Sequence, residues 1–276
     1  MYLTYIDGQW REGNAPIMGA MDHSVWLGSS IFDGARAIRG HLPDLRLHLE
    51  RALRSANELG LTCEYGIDEL DALCREGVAR FPVDAELYIR PLIFGLEGLL
   101  VPTRSGFALT LFDAPVPKFE GFSACLSTLH RPSPSMAPTN AKASCLYPNT
   151  TRALVAAKQR GFDNAVVCDP LGNVAEFATA NLFFVDADGR VVTPIANGCF
   201  LSGITRARVI QLLGTAGVDV VERTVRPQEL QSAVEIFNTG NYGKVIPCTK
   251  YENHEMPIGE MATLARKLYW EFMQAN

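Results

Sequence analysis

The spacing of apolar residues predicts a mixture of helices and strands in the first part of the chain. Apolar side chains recur at helical intervals over residues 48–59, and Gly60 follows as a stop signal. Residues 68–80 repeat this pattern, whereas 87–94 and 107–112 are apolar runs typical of strands. This part of the sequence therefore predicts a mixed α/β unit.

The second part of the chain is richer in strands. Short apolar runs separated by turn residues predict strands at 164–169, 175–177, 182–185, 190–193, 218–221, 235–238 and 244–249. Helical patterns are found at 149–160, 205–213 and 260–274. The pattern indicates an α+β or barrel-like arrangement in which helices surround a strand-rich core.

The best linker lies at residues 114–121, where two prolines and a glycine separate two strand-like runs. We therefore predict two domains, a small α/β domain over 1–118 and a larger domain over 119–276.

Composition excludes several classes of protein. The net charge of -5 and the pI near 5.6 give no electrostatic reason to expect nucleic acid as a partner. The start of the chain lacks the basic and apolar regions of a secretory signal, and no apolar run approaches the roughly 20 residues that span a bilayer. We therefore expect a cytoplasmic protein that does not bind membranes.

The seven cysteines are widely spaced and contain no C-x-x-C pair. This distribution is typical of reduced thiols that pack as small apolar residues. It argues against a zinc site, whose ligands usually come in closely spaced pairs, and we expect no metal.

Two isolated charged residues are candidates for a role in chemistry. Lys142 follows a proline-rich loop and is flanked by small residues, which suits an amine that must be buried to attack an aldehyde. Glu176 lies in an otherwise uncharged stretch between strands, where a buried carboxylate needs a partner such as a protonated ring nitrogen. Taken alone, each residue is better explained as exposed to solvent.

Two glycine-bearing segments are potential anion sites. Gly203, Ile204 and Thr205 open a predicted helix, whose free N–H groups and dipole favour phosphate. The alternative is a plain helix cap formed by Thr205. The turn at 238–243 offers backbone donors, or is simply a hairpin turn.

The order and spacing of these segments resemble the branched-chain aminotransferase group of fold-type IV pyridoxal-phosphate enzymes. The resemblance covers essentially the whole chain, and Tyr147 and Glu176 follow Lys142 at the intervals typical of that group. The matching segments are 21–23, 30–36, 45–51, 88–94, 138–142, the region of Glu176, 203–206 and 237–240. The resemblance implies a two-domain α+β fold with a small α/β N-terminal domain and a strand-rich pseudo-barrel C-terminal domain.

The resemblance implies pyridoxal 5'-phosphate as cofactor and assigns it a set of ligands. Lys142 is implied as the catalytic residue that binds the cofactor covalently, Glu176 as the partner of the ring nitrogen, and Tyr147 as the donor to the ring hydroxyl. Phosphate binding is implied for Arg46, Gly203, Ile204, Thr205, Thr239 and Asn241. Arg46 is placed in this set by its register with His48, two residues later.

The resemblance also implies a substrate pocket. Its members are Phe32, Gly34, Tyr88, Arg90 and Tyr242, with Gly34 leaving room near the cofactor. Arg90 favours a substrate that carries a carboxylate, since a guanidinium matches it with two hydrogen bonds. Leu27 and the segment 241–243 depart from the family pattern, and these departures concern the substrate.

The expected reaction moves an amino group from an apolar, branched-chain-like amino acid to a keto acid such as 2-oxoglutarate. Two alternatives share the fold: a D-amino acid or (R)-amine transaminase, and a pyridoxal-phosphate lyase similar to aminodeoxychorismate lyase. A non-enzymatic descendant is disfavoured by the intact set of Lys142, Tyr147 and Glu176. The resemblance further implies a homodimer.

Overall fold

A computed structural model describes residues 1–275, which form two compact units. The first unit contains Met1–Val116 and Ala141–Cys145, and the second contains Pro117–Asn140 and Leu146–Ala275. The boundary predicted after residue 118 stays a prediction. Residues 141–145 pack with the first unit, whereas the sequence-based division assigns them to the second domain.

The first unit is built on a six-stranded antiparallel sheet. Its strands are β1 (Tyr2–Ile6), β2 (Gln9–Glu12), β3 (Ser30–Phe32), β4 (Ala35–Ile38), β5 (Glu86–Glu97) and β6 (Arg104–Asp113). They lie in the order β2-β1-β6-β5-β3, and β4 also pairs with β5. Asp7 and Gly8 both have positive φ and form the turn of the first hairpin, as expected for an Asp-Gly pair.

Three helices belong to the first unit: α1 (His23–Leu27), α2 (Leu45–Glu58) and α3 (Ile67–Val78). The main core contains the apolar faces of α2 and α3 together with one face of the sheet. Leu49, Leu70 and Ile89 represent these three layers and are almost completely buried. Burial of such stripes explains why the helical periodicity located α2 and α3 correctly.

Strands β3 and β4 follow one another along β5 with a break at residues 33 and 34. Pro91 of β5 lies opposite this break and has no N–H to donate, while its carbonyl accepts the N–H of Asp33 at 3.1 Å. The polar interruption hides the strand pattern, and the sequence did not predict either strand. The break matters because the side chain of Asp33 is completely buried there.

The second unit is built on a nine-stranded mixed sheet. Its strands are β7 (Phe122–His130), β8 (Asn164–Cys168), β9 (Val174–Phe177), β10 (Asn181–Val185), β11 (Val191–Pro194), β12 (Val220–Arg223), β13 (Glu235–Gly240), β14 (Lys244–Tyr251) and β15 (His254–Glu255). The order is β12-β11-β10-β13-β14-β7-β8-β9, with β15 beside β14. Of these, β7 and β15 were not predicted: serines, a threonine and a histidine interrupt the apolar pattern of β7, and β15 is two polar residues long.

Three helices pack on this sheet: α4 (Tyr147–Gln159), α5 (Ile204–Thr215) and α6 (Glu260–Ala275). Helix α4 shares a small core with β7 and β8, whereas α5 and α6 share a larger one with β10 and β13. Within residues 1–275, no helix has the length and apolar character needed to cross a membrane.

Candidate active site

Lys142 lies in a short extended segment that is fixed to β3 and α2. Ala143 forms an antiparallel bridge with Ile31, and the carbonyl of Lys142 accepts the N–H of Phe32 at 3.2 Å. The N–H of Lys142 donates to Oγ of Ser55, a buried residue of α2, at 3.1 Å. The backbone is held from both sides, so Lys142 is half-buried on a supported segment of the first unit.

The side chain of Lys142 contacts Phe32, which the sequence placed in the substrate pocket. The Nζ atom lies 4.9 Å from the centroid of the Phe32 ring. An ammonium at this distance over a ring is attracted by the ring's electron density. The structure therefore brings these two predicted residues together.

Gly34 leaves room for a tyrosine. A Cβ atom at Gly34 would overlap the hydroxyl of Tyr88, which comes closer to this position than any other atom. Glycine is required here because a neighbouring side chain occupies the space of its missing Cβ. The sequence predicted that Gly34 leaves room near the cofactor, and within the first unit that room is taken by Tyr88.

Tyr88 and Arg90 lie on one face of β5 and contact the same ring. Tyr88 stacks on Phe112 of β6, with ring centroids 5.4 Å apart. The guanidinium of Arg90 lies 4.9 Å from the Phe112 centroid and 5.4 Å from the Tyr88 centroid. Arg90 is exposed to solvent. Its guanidinium therefore packs against the rings of Tyr88 and Phe112 and remains accessible to an anionic partner.

Arg46 lies on the exposed face of α2. Its guanidinium bonds Asp68 at 2.7 Å and pairs with Glu50 at 3.6 Å, and its side chain is 54% exposed. Residues two apart on a helix point to nearly opposite faces, so the register with His48 does not carry Arg46 to the buried face. We correct the assignment on this ground, and Arg46 is not carried into the proposed phosphate site.

The buried face of α2 instead belongs to a network that the sequence did not predict. The Asp33 carboxylate accepts hydrogen bonds from Arg51 at 2.7 and 2.8 Å, from Nδ1 of His48 at 2.9 Å, and from the N–H of Gly34 at 2.6 Å. Burial alone would raise the pKa of Asp33, but the charge and hydrogen bonds of Arg51 and His48 lower it well below its usual range. Asp33 is therefore ionised, and its carboxylate oxygens accept four hydrogen bonds.

In the second unit, Glu176 is buried on β9 and is held at both carboxylate oxygens. Oε1 accepts two hydrogen bonds from the Arg131 guanidinium, one of them from Nε at 2.8 Å. Oε2 accepts a hydrogen bond from Nδ2 of Asn181 at 3.0 Å. Glu176 is thus not an exposed strand-end residue: it is a carboxylate of fixed orientation in a buried polar network.

Arg131 pairs with Glu176 and also interacts electrostatically with Tyr147. Burial lowers the pKa of Arg131, but the Glu176 carboxylate raises it more, and Tyr147 adds a smaller effect in the same direction. Arg131 therefore stays charged next to both residues. Tyr147 is the first residue of α4 and is 37% exposed. Two of the predicted ring ligands therefore interact with the charge of one arginine, Glu176 through an ion pair and Tyr147 electrostatically.

The start of α5 lies directly against Asn181. Gly203 is the N-cap residue, and a Cβ on it would overlap Oδ1 of Asn181. No side-chain cap satisfies the first N–H groups, and Thr205 is buried one position inside the helix. The alternative in which Thr205 is itself the cap is wrong. The N–H groups of Ile204 and Thr205 can therefore donate to an acceptor outside the helix.

The β13–β14 turn lies beside this helix start, because Asn181 of β10 pairs with Thr239 of β13. Thr239 is 1% exposed, and its Oγ1 has no hydrogen-bond partner among the residues that the structure describes. Nδ2 of Asn241 is likewise buried and unpartnered within that part of the chain. Tyr242, by contrast, is 57% exposed.

These groups suit the phosphate of the implied cofactor. A buried hydroxyl or amide without a partner costs free energy, so two of them beside an uncapped helix start indicate an acceptor that binds there. In the second unit, the buried carboxylate of Glu176 provides the group that a pyridine nitrogen requires; in the first unit, Lys142 provides the amine that an aldehyde requires. The residues present therefore fit pyridoxal phosphate.

Sequence reasoning missed three residues of this region: Arg131, Asn181 and Lys244. Arg131 opens the proline-rich loop, and Asn181 is the single polar residue at the start of an apolar strand. That isolated polar position was a detectable signal. Lys244 had none, since a lysine after a turn is usually exposed.

Comparison with known proteins identifies the family. Residues 30–251 match the family described as amino-transferase class IV, and the chain belongs to it. The predicted resemblance is confirmed, as are the two-domain α+β fold, the class of pyridoxal-phosphate aminotransferase and the cofactor.

Individual relatives cover nearly the whole chain. A probable branched-chain-amino-acid aminotransferase of Rickettsia bellii (strain RML369-C) is 30% identical over 87% of this chain and 84% of its own length. The crystal structure of a Brucella abortus aminotransferase bound to PLP is 45% identical, with a TM-score of 0.97 and 99% of both chains covered.

A third relative is the branched-chain aminotransferase of the thermophilic archaeon Thermoproteus uzoniensis, whose crystal structure was solved with norvaline. It is 28% identical, with a TM-score of 0.92, and the match covers 99% of this chain and 95% of that one.

Proposed function

We propose that Lys142 binds the cofactor and that residues of the second unit bind its ring and phosphate. Tyr147 donates to the ring hydroxyl oxygen, and Glu176 pairs with the ring nitrogen. The phosphate ligands are Gly203, Ile204, Thr205, Thr239 and Asn241. One side-chain atom of Thr239 and one of Asn241 are buried and have no hydrogen-bond partner within residues 1–275, which supports the phosphate assignment.

The chain's own groups then perform the proton transfers. When bound, pyridoxal phosphate supplies an electron sink that makes the proton on the substrate's α-carbon removable. Nζ of Lys142 takes this proton as a general base and returns it as a general acid. Glu176 remains ionised beside Arg131 and holds the ring nitrogen protonated.

We further propose that the donor is an amino acid with an apolar, branched side chain and that 2-oxoglutarate is the acceptor. Arg90 is accessible, supported by two rings, and able to engage the carboxylate that both substrates carry. Phe32, Gly34, Tyr88 and Tyr242 complete the proposed pocket. The names of the Rickettsia and Thermoproteus relatives, and the norvaline in the latter structure, support an apolar amino acid as the donor.

The strongest support for the proposal is that the segment containing Lys142 is held in place by neighbouring elements. Its backbone is bonded to both β3 and α2, and its Nζ lies over Phe32. Lys142→Ala is expected to abolish both the visible absorbance of the bound cofactor and turnover. Lys118→Ala, which changes an exposed loop lysine, is the matched control and should retain both. Normal turnover by the Lys142 variant would refute the assignment.

A donor panel tests the substrate. L-leucine, L-isoleucine and L-valine are offered with 2-oxoglutarate, beside D-amino acids and chiral amines, and glutamate formation is measured. We expect the branched-chain L-amino acids to react fastest. Activity confined to D-amino acids or (R)-amines would favour the alternative transaminase. Pyruvate release from aminodeoxychorismate, without accumulation of pyridoxamine phosphate, would favour the lyase.

We also propose that the protein is a cytoplasmic homodimer. Trp26 of α1 and the turn at residues 99–101 expose large apolar side chains in the first unit. Exposed apolar surface of this kind is typical of an interface. Sedimentation of the purified protein should give twice the mass of one chain, and Leu100→Asp should shift this equilibrium toward monomer.

A further inference from the structure

Lys244 is the first residue of β14, directly after the β13–β14 turn. The proposed phosphate site does not by itself explain why this lysine is buried. Lys244 is 1% exposed and has a φ of 63°. A buried ammonium and a left-handed backbone at a residue with a long side chain are both unfavourable. Such features persist where the surrounding structure compensates for them, and they concentrate at functional positions.

The Nζ atom of Lys244 points to a phosphate ligand of the proposed site. It donates to Oδ1 of Asn241 at 2.8 Å and lies 5.2 Å from the centroid of the Tyr269 ring. An ammonium donates and does not accept, so the atom that it contacts must be the amide oxygen of Asn241. The amide nitrogen is thereby directed away from Lys244.

That nitrogen is the atom left without a partner. Nδ2 of Asn241 is buried and bonds no other residue in the described part of the chain, and the same holds for Oγ1 of Thr239 two residues earlier. Thr239 pairs with Asn181, which touches the start of α5 at Gly203. Two donors and an uncapped helix start therefore belong to one corner of the second unit.

We propose that Lys244 is a positioning residue for the cofactor's phosphate. It holds the Asn241 amide with Nδ2 presented as a donor, and its charge adds to the positive field of this corner. The proposal rests on the proposed function, in which this corner binds the phosphate of pyridoxal phosphate.

The test compares two aldehydes that differ only in the phosphate group. Apoprotein is titrated with pyridoxal 5'-phosphate and with pyridoxal, and the absorbance of the cofactor bound to Lys142 reports binding. Lys244→Met is expected to raise the dissociation constant of pyridoxal phosphate about tenfold or more, since a hydrogen bond to a charged group is lost or misaligned. The dissociation constant of pyridoxal should not change.

Three further variants separate positioning from packing. Lys250→Met removes an exposed lysine of the same strand and should leave both dissociation constants unchanged. Lys244→Arg keeps the charge and the donor and should restore much of the affinity for pyridoxal phosphate. Combining Lys244→Met with Asn241→Ala should weaken binding by less than the product of the single effects, because one residue acts through the other.

The outcomes separate this proposal from the proposed function. Equal weakening of pyridoxal and pyridoxal phosphate would assign Lys244 a packing role and overturn the proposal, as would unchanged affinity of Lys244→Met. A wild-type protein that forms no absorbing complex at Lys142 would instead overturn the proposed function. Thermal unfolding of each apoprotein shows whether a variant has lost its fold, and in that case Lys244→Arg provides the decisive comparison.

Discussion

The two units each contain a buried carboxylate that pairs with an arginine, and the two pairs differ in their surroundings. Asp33 of the first unit accepts four hydrogen bonds, from Gly34, His48 and Arg51. All of these donors lie within 18 residues of it in the chain. Glu176 of the second unit is held by Arg131, which is 45 residues away.

The difference shows that burial and an arginine partner do not by themselves identify a functional carboxylate. Asp33 and its partners connect β3 to the helix that packs on it, so the network holds two local elements together. The guanidinium beside Glu176 also interacts electrostatically with Tyr147, a second predicted ligand of the cofactor ring. The second carboxylate therefore differs from the first because the charge of its partner also acts on another predicted ligand.

The largest expected effect is on the stability of the first unit. Asp33→Asn leaves the buried Arg51 without its counter-charge and should lower the free energy of unfolding by about 3–5 kcal/mol. Urea unfolding at neutral pH measures this loss, and Asp84→Asn, at an exposed position, is the control. Wild-type stability of the Asp33 variant would show that the network is not structural.

The effect of Asp33→Asn on the free energy of unfolding should become smaller in acid. The pKa of Asp33 is lowered in the folded protein, so the unfolded chain takes up this proton first as the pH falls. The stabilisation by Asp33 is complete above the ordinary carboxyl pKa, declines as the pH falls below it, and is fully lost only below the lowered pKa of the folded protein. The difference in stability between wild type and Asp33→Asn should therefore begin to shrink near the ordinary pKa of about 4 and continue to shrink at lower pH.

Glu176→Gln tests the carboxylate of the second unit. Loss of the negative charge beside the ring nitrogen should lower kcat by about a hundredfold to a thousandfold, the range found when one electrostatic contact of a reaction centre is removed. The absorbance of the bound cofactor should change as well. Glu120→Gln, at an exposed loop position, is the control. Wild-type turnover would remove Glu176 from the proposed site.

Gly34→Ala tests how tightly the first network is packed. The added methyl group displaces the Tyr88 hydroxyl and should cost about 1–3 kcal/mol of stability. In a Tyr88→Phe background the clash is smaller, so the cost should fall. Equal costs in both backgrounds would show that Tyr88 is not the obstacle.

Arg131→Met tests whether the partner of Glu176 contributes to the reaction. We expect kcat to fall about tenfold with KM little changed, because Arg131 orients Glu176 and does not meet the substrate. Arg131→Lys keeps the charge without the paired geometry and should be intermediate. Arg152→Met, on the exposed face of α4, should have no effect. A change confined to KM would indicate a different role.

The smallest effect is expected for Arg46→Ala. Its side chain is exposed and bonded to Asp68, so the affinity of the apoprotein for pyridoxal phosphate should not change. A tenfold loss of affinity, on the scale of a charged hydrogen bond, would restore the phosphate role that register with His48 suggested.

Much of the fold follows from local pattern, and the failures have local causes. Helices α2 to α6 and most strands were located because apolar periodicity reports which face each element buries. Strands β3, β4 and β7 were missed because polar residues interrupt their alternation. Arg46 was placed at the phosphate by its spacing from His48, because a motif read along the chain does not say which face of a helix a residue occupies.

The sequence by itself determined the family, the cofactor and the class of fold, because these depend on the order and spacing of segments along one dimension. It also singled out Lys142, Tyr147 and Glu176 as proposals. Only the tertiary structure decided which side chains contact the predicted site residues. Arg131 and Asn181 donate to Glu176, the Tyr88 hydroxyl lies against Gly34, and Lys244 donates to Asn241. Two of these four contacts, Arg131 with Glu176 and Tyr88 with Gly34, join residues far apart in the chain. All four depend on which way each side chain turns, which no local pattern records.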